Sequence, residues 1–530
     1  MSFAHSPGVL EKNVHGSGDI KVSSKGVVNG LSDIPNDGSH FGPDTTLGGI
    51  SPNQIGAPYT QTQGQQEAAN YAHSLGGGKV ELINEGVPYN VYTIITVYQD
   101  TTIEGNYSIL NYYTSVNNPI FSIGAVSNPN HIIKNLTINV KQAPSGGLGN
   151  VVTGTTMNKL PEYENVTINA NGLAQIGFNF SNGSNSGCIN CYVTQVTQYA
   201  YYASAGTGMF FDNCNYVGTS QGDGSYTYYW GGGDTLRING GRSEGGSGLI
   251  WIDSTNNTCT QARISRAESD AATQSIMFQI GNNPITQIVF ENLLITDPSN
   301  KSISAQINTG ATGYLSEITI NGGIYTGAGN GFLNLYALSM NGGTFTVNNA
   351  IIANNNTGGN TGEGEFNNPA VTGNIAVNNC IIVPSATDVL ARAPLSPYSI
   401  TFNNCTLTGT WSNPVEGNVI MHNCINPPQT PPSISTNPLV SATVYQNTNP
   451  YDIRLKIPVT YNPTATAAAT LATGISQTST VTTSTKVSIP AGLTAADGEI
   501  LTYDIVVPAG WYFELIATNA VIGTAEVQAA

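Results

Sequence analysis

Four charged side chains, Arg242, Glu244, Glu268 and Asp270, have the types and the spacing for chemistry. They lie in "GGRSEGG" (240–246) and "SRAESDA" (265–271), inside a chain in which charged residues make up only 9%. Glu268 follows Arg242 by 26 residues, and Asp270 follows Glu244 by the same interval. Glycoside hydrolysis needs two carboxyl groups, one protonated as acid and one ionised as base or nucleophile. Carboxylates held side by side raise one another's pKa, which suits the acid. Glu244, Glu268 and Asp270 are therefore the candidate catalytic residues. Asp253 and Trp251 on the following stretch, with Tyr228, Tyr229 and Trp230, offer a carboxylate and flat apolar rings for sugar. Arg242 and Arg266 could neutralise a uronate, but no convincing lyase base accompanies them.

Residues this far apart meet only if the chain repeats, and it does. An apolar–x–Asn/Gly–small–x–apolar pattern recurs in "HIIKNLTIN" (131–139), "GCINCYVT" (187–194), "IVFENLLIT" (288–296), "IAVNNCII" (375–382) and "VIMHNCIN" (419–426). Its central residue falls at 135, 165, 190, 213, 240, 266, 292, 322, 349, 379, 404 and 423, about 26 apart. Such a period predicts a parallel β-helix of about twelve rungs, with equivalent positions about 4.8 Å apart on successive turns. The first and third residues after each anchor are mostly apolar, so they should point inward; the second and fourth should point outward. Arg242, Glu244, Glu268 and Asp270 then share one outer face, with Arg237 stacked on Arg263. The outward position of later rungs carries Leu294, Ile324, Ile351, Ile381 and Ile425. A stripe of that kind suggests burial against sister subunits. The charged rungs would then form an inter-chain ion-pair network, and this reading stands ahead of catalysis.

Composition narrows the function further. Net charge is −16, with 16 Lys and Arg in all, of which six are arginines, so a nucleic-acid backbone is not an expected partner. No stretch approaches the ~18 apolar residues of a membrane span. "MSFAHSPGVLEKN" is not a secretory signal. The seven cysteines, five of them in "NC" pairs, read as buried, reduced packing residues. Cys188 and Cys191 form a single C-x-x-C without a second ligand pair, so neither metal nor cofactor is expected.

Thr62 and Gln65 have capping-box spacing at the start of a short helix ending near Gly76, which would cover the coil's open end. With the entry "LGGGKVELI…TTIEGN" and the repeats, residues 53–426 resemble the pectate-lyase-like right-handed β-helix family, and a viral tailspike or spike more than a secreted pectinase. The resemblance implies a homotrimer that binds or cleaves surface polysaccharide or glycoprotein glycan, at a virion surface or extracellularly. Residues 1–52 are read as a turn-rich attachment segment, which would contact other virion proteins. "PPQTPPSIST" marks a linker over 427–438. Residues 439–530, with "VPAGWYFELIA", resemble the C-terminal β-sandwich modules of phage tail fibres. The function expected first is a spike that recognises host-surface glycan, then a polysaccharide depolymerase, then a non-catalytic structural surface protein.

Overall fold

The computed structural model describes residues 19–23, 40–41 and most of 64–529; residues 1–18, 24–39, 42–63, 124–131, 155–161, 356–363, 426–438 and 490–499, with shorter gaps, lie outside the described residues. The cap residue Thr62, the linker and most of the attachment segment fall among those gaps. The chain divides into two compact units, Met1–Ile318 and Thr319–Ala530.

The first unit is a parallel β-helix closed at its start by the helix Gln65–Ser74, whose Ala68, Ala69 and Ala72 are fully buried. Strand Gly78–Ile83 follows, and Asp19–Ser23 pairs with it in parallel. The repeat has a backbone cause. All twelve anchor positions have positive φ, from Asn213 and Asn292 at 51° to Gly240 at 72°. Asparagine and glycine tolerate the left-handed region best, which is why they recur at the corner that turns each rung. The corner asparagines also bond to one another: Asn165 Nδ2 donates to Asn135 Oδ1 at 2.8 Å, and Asn213 Nδ2 to Asn190 Oδ1 at 2.9 Å.

Between corners, the alternation holds as the apolar spacing predicts. Val166, Ile168, Cys191, Val193, Cys214 and Tyr216 fill the coil, and all seven cysteines of the chain are buried free thiols. Tyr163, Cys188, Phe211, Ile238, Ile264 and Phe290 stack in register along one inner wall. Phe178, Tyr201 and Tyr228 stack along another, with ring centroids 5.3 Å apart at each step. A buried phenol must find an acceptor. Tyr201 and Tyr228 donate to the carbonyls of Cys191 and Cys214, each at 2.8 Å.

In the second unit, Thr344–Asn348, Asn374–Asn378, Ile400–Asn403 and Val419–His422 continue the same kind of parallel ladder. Ile324, Ile351 and Ile381 pair in register on its outside, and Thr406 and Ile425 extend the column. Beyond it lie two antiparallel sheets. Ile453, Leu455, Ile457, Val459 and Tyr461 alternate inward from the longest of their strands. The "PAG" of "VPAGWYFELIA" makes a β-turn, with Gly510 at φ 77° and Trp511 N–H donating to Pro508 O at 3.1 Å.

Candidate functional site

The four residues singled out by spacing do meet. In "GGRSEGG" the two glycine pairs are corners, with Gly240 and Gly241 at φ 72° and 94° and Gly245 and Gly246 at 69° and 71°. A side chain at Gly241 would run into the Cys214 carbonyl. The segment between them is extended and pairs with the next rung, Arg242 beside Glu268 and Glu244 beside Asp270. Ser243 and Ser269 point into the coil and are fully buried, so the charged neighbours face out.

One guanidinium then serves three carboxylates. Arg242 Nη2 donates to Asp270 Oδ2 at 3.0 Å and lies 3.7 Å from Glu244 Oε2, and its Nε is 3.6 Å from Glu268 Oε1. Hydrogen bonding to Asp270, with the charge of Glu268 behind it, holds the Arg242 guanidinium above its usual range. The side chains remain 33–53% exposed. A substrate oxygen approaching this cluster meets a cation to which all three acids are already tied. That geometry fits an ion-pair network better than an acid–base pair awaiting a glycosidic bond.

Arg266 does not join it. It occupies the corner position at φ 54°, and its Nη2 donates to Asn239 Oδ1 at 2.7 Å, taking the place of the asparagine ladder. The stacked pair Arg237 and Arg263 resolves its repulsion by reaching opposite ways, Arg237 to Asp212 at 2.8 Å and Arg263 to Glu291 at 2.7 Å.

The ring-bearing candidates separate by strand parity. Tyr228 and Trp230 are each 1% exposed and form part of the coil interior, so neither offers a face to a ligand. The reason is the two-residue strand period: with Tyr229 outside, both neighbours must point in. Tyr229 and Trp251 do face outward, half-buried and adjacent in register. Tyr202 and Tyr199 join them from the preceding rung. Tyr202 stacks on Tyr229 with centroids 4.6 Å apart and planes within 1°, and Tyr199 lies 4.5 Å from Tyr229 and 6.3 Å from Trp251. The sequence carried a signal for both, because "QYAYYA" (198–203) repeats the pattern of "SYTYYW" (225–230) 27 residues later.

Asp253 sits beside this surface. Its Oδ2 accepts from the Tyr229 hydroxyl at 3.0 Å and its Oδ1 from Thr255 N–H at 2.8 Å. The Trp251 indole nitrogen is buried without a hydrogen-bond partner, so what solvent meets of this side chain is ring carbon. The surface presents half-exposed rings bordered by one carboxylate, a combination that receives a ligand with both apolar faces and hydrogen-bond donors.

No protein-family model and no curated protein matches the chain. Among solved structures, it is similar to the Dettilon tailspike protein, with TM-score 0.40, 12% identity, and 87% of this chain and 90% of that one covered. It is also similar to the tailspike protein of E. coli bacteriophage HK620 in complex with pentasaccharide, with TM-score 0.39, 10% identity and coverage of 87% and 88%. The catalytic unit of a GH87 α-1,3-glucanase from Streptomyces thermodiastaticus follows with TM-score 0.34 and 15% identity; 68% of this chain is covered, and the chain spans 62% of the glucanase. At these values the similarity does not bear on what the chain binds or does.

Proposed function

We propose that this chain is a spike-type surface protein of a virion that recognises host-surface glycan, working as a homotrimer. The glycan is received by the outward rings of Tyr199, Tyr202, Tyr229 and Trp251 with Asp253. What supports this is a single observation: four half-exposed aromatic side chains gathered on adjacent rungs of a rigid sheet, next to a carboxylate. Such rings cover the C–H faces of pyranoses at little cost in side-chain entropy, and a coil fixes their spacing in advance.

The Arg242 cluster has a different role in this reading. It fixes the register of one copy against another, as an outward-facing network that a sister subunit covers. The virion location carries over from the sequence resemblance of residues 53–426. A second reading, hydrolysis through Glu244, Glu268 and Asp270, is favoured by the convergence of three carboxylates on one exposed spot.

A glycan array with wild type and Trp251→Ala tests the first reading. Wild type is expected to give a restricted set of hits, which Trp251→Ala loses. Hits that survive in Trp251→Ala would reject the aromatic surface as the site. Release of reducing ends from a bound glycan, abolished by Glu268→Gln, would instead favour the second reading.

A further inference from the structure

The charge around the aromatic surface restricts which sugars it takes. Asp253 is half-buried and acceptor-only, and the two internal donors it holds leave part of its lone-pair capacity unused. The leading charges acting on the neighbouring phenols are of one sign. Burial pushes the Tyr199 hydroxyl up to about 12, with the charge of Asp253 next in importance. Burial also pushes Tyr229 up, again with Asp253 behind it and other phenols after that. None of the leading contributions to either shift is a cation. The arginines of these rungs are engaged elsewhere: Arg242 with three carboxylates, Arg266 with Asn239, Arg237 with Asp212 and Arg263 with Glu291. The whole chain, at a net charge of −16, adds a repulsive field for any polyanion.

We propose that Asp253 is the specificity residue of this surface, accepting a hydrogen bond from the nitrogen of an amino sugar whose ring rests on Trp251 and the adjoining tyrosines. Uronates and sialate-type acidic sugars are excluded by the same carboxylate. The inference rests on the reading of the aromatic surface as a glycan site. A free amine and an acetamide both supply the N–H; the amine forms the charge-assisted bond, roughly twice as strong as a neutral one.

The test is the full-length protein on an array carrying neutral, amino, acetamido and acidic glycans, followed by calorimetry on the hits. Amino- or acetamido-bearing glycans are expected to dominate. Asp253→Asn should weaken the amine-bearing hits about tenfold and the acetamido ones less, because the Asn carbonyl still accepts, and leave neutral glycans unchanged. A larger loss for the amine identifies the cationic source; binding confined to acetamido glycans with only a small loss identifies the amide, and an equal loss of about tenfold for both overturns the charge-assisted bond. Hits that carry uronate or sialate, or an amino-sugar preference indifferent to Asp253→Asn, overturn the inference. If Asp253→Asn does not fold, Tyr229→Phe keeps the carboxylate and removes one internal donor; the preference must then persist or rise, and its loss overturns the inference. Hits that vanish in Trp251→Ala yet ignore Asp253 sink the specificity alone. An array silent for wild type sinks the glycan reading with it.

Discussion

Replacing Arg242 with Gln separates an ion-pair interface from an open site by magnitude. The substitution leaves Glu244, Glu268 and Asp270 without the guanidinium that now lies 3.0–3.7 Å from each. In a single chain these groups are 33–53% exposed. Exposed pairs contribute about 0.2–1 kcal/mol each and are screened by salt, so an isolated coil should lose only about 1 kcal/mol. For a domain of 150–250 residues that is a Tm drop of roughly 2–4 °C, and a longer coil should show less. Covered by a sister subunit, the same deletion strands buried charges, at about 3–5 kcal/mol per site. Three equivalent sites in a trimer bring this to on the order of 10 kcal/mol, and each 1.4 kcal/mol is about tenfold in association.

Light scattering across a concentration series, paired with thermal unfolding, reads both quantities. We expect wild type to be trimeric and Arg242→Gln to dissociate at micromolar concentration, with the isolated chain still folded. Arg237→Gln is the control, since it removes an exposed guanidinium paired to Asp212 in another strand and should leave assembly intact. A mutant that stays trimeric with an unchanged Tm would refute the interface reading and return the three carboxylates to solvent and ligand.

Three further outcomes follow from burial and charge. Trp230→Ala removes a fully buried indole and should cost about 3–5 kcal/mol in chemical denaturation, whereas Trp251→Ala, half-exposed, should cost clearly less. Equal losses would contradict the parity assignment. Acid should destabilise the first unit through Glu104 and Asp223. Burial raises both carboxyls, but hydrogen bonds from Asn135 and Asn106 to Glu104, and from Ser225 and Thr219 to Asp223, outweigh it and leave both lowered. A depressed folded pKa contributes stability that is present above the unfolded value, near 4, and is lost as pH falls through the folded one. Unfolding free energy should therefore be flat above about pH 5 on their account and fall below about pH 4; Asp223→Asn should reduce that fall, and an unaltered acid limb would show that Asp223 does not contribute. The cysteines should resist a thiol reagent in the native protein and all react in denaturant, since every one is buried in the coil and out of a reagent's reach; rapid native labelling would contradict the packing.

Periodicity made the coil legible because one rung needs one left-handed corner, and asparagine or glycine marks that corner at eleven of the twelve anchors, Arg266 being the exception. The same count placed Arg242 beside Glu268 and Glu244 beside Asp270. The choice of partner among them was not legible. Arg242 reaches diagonally to Asp270 at 3.0 Å in preference to Glu268 opposite it, a matter of long side chains free to rotate after register is set. "YTYYWG" misleads in another way. Read as a local cluster, it suggests a patch of four rings, but a strand presents alternate residues, so Tyr228 and Trp230 belong to the core and Tyr229 to the surface. The missing members of the surface, Tyr199 and Tyr202, come from the rung before, where only comparison of repeats would have found them.

In-register stacking explains why the departures from the repeat come in adjacent rungs. Placing equivalent positions about 4.8 Å apart sets like against like. For charge this is costly: Arg237 above Arg263 is tolerated because each turns to a carboxylate on the far side. Arg242 above Glu268 alternates sign, the like-charged Glu244 and Asp270 beside them share the same guanidinium, and this works only if the second rung is altered together with the first. For rings the same stacking is favourable, as Tyr202 over Tyr229 at 4.6 Å shows. On a parallel coil, stacked charges of the outer face therefore need a partner of opposite sign within reach, as Arg242 is for its three carboxylates, whereas aromatic columns extend from rung to rung at no electrostatic cost. A ligand surface on such a coil is best built from rings, with an isolated carboxylate such as Asp253 set beside the column rather than within it.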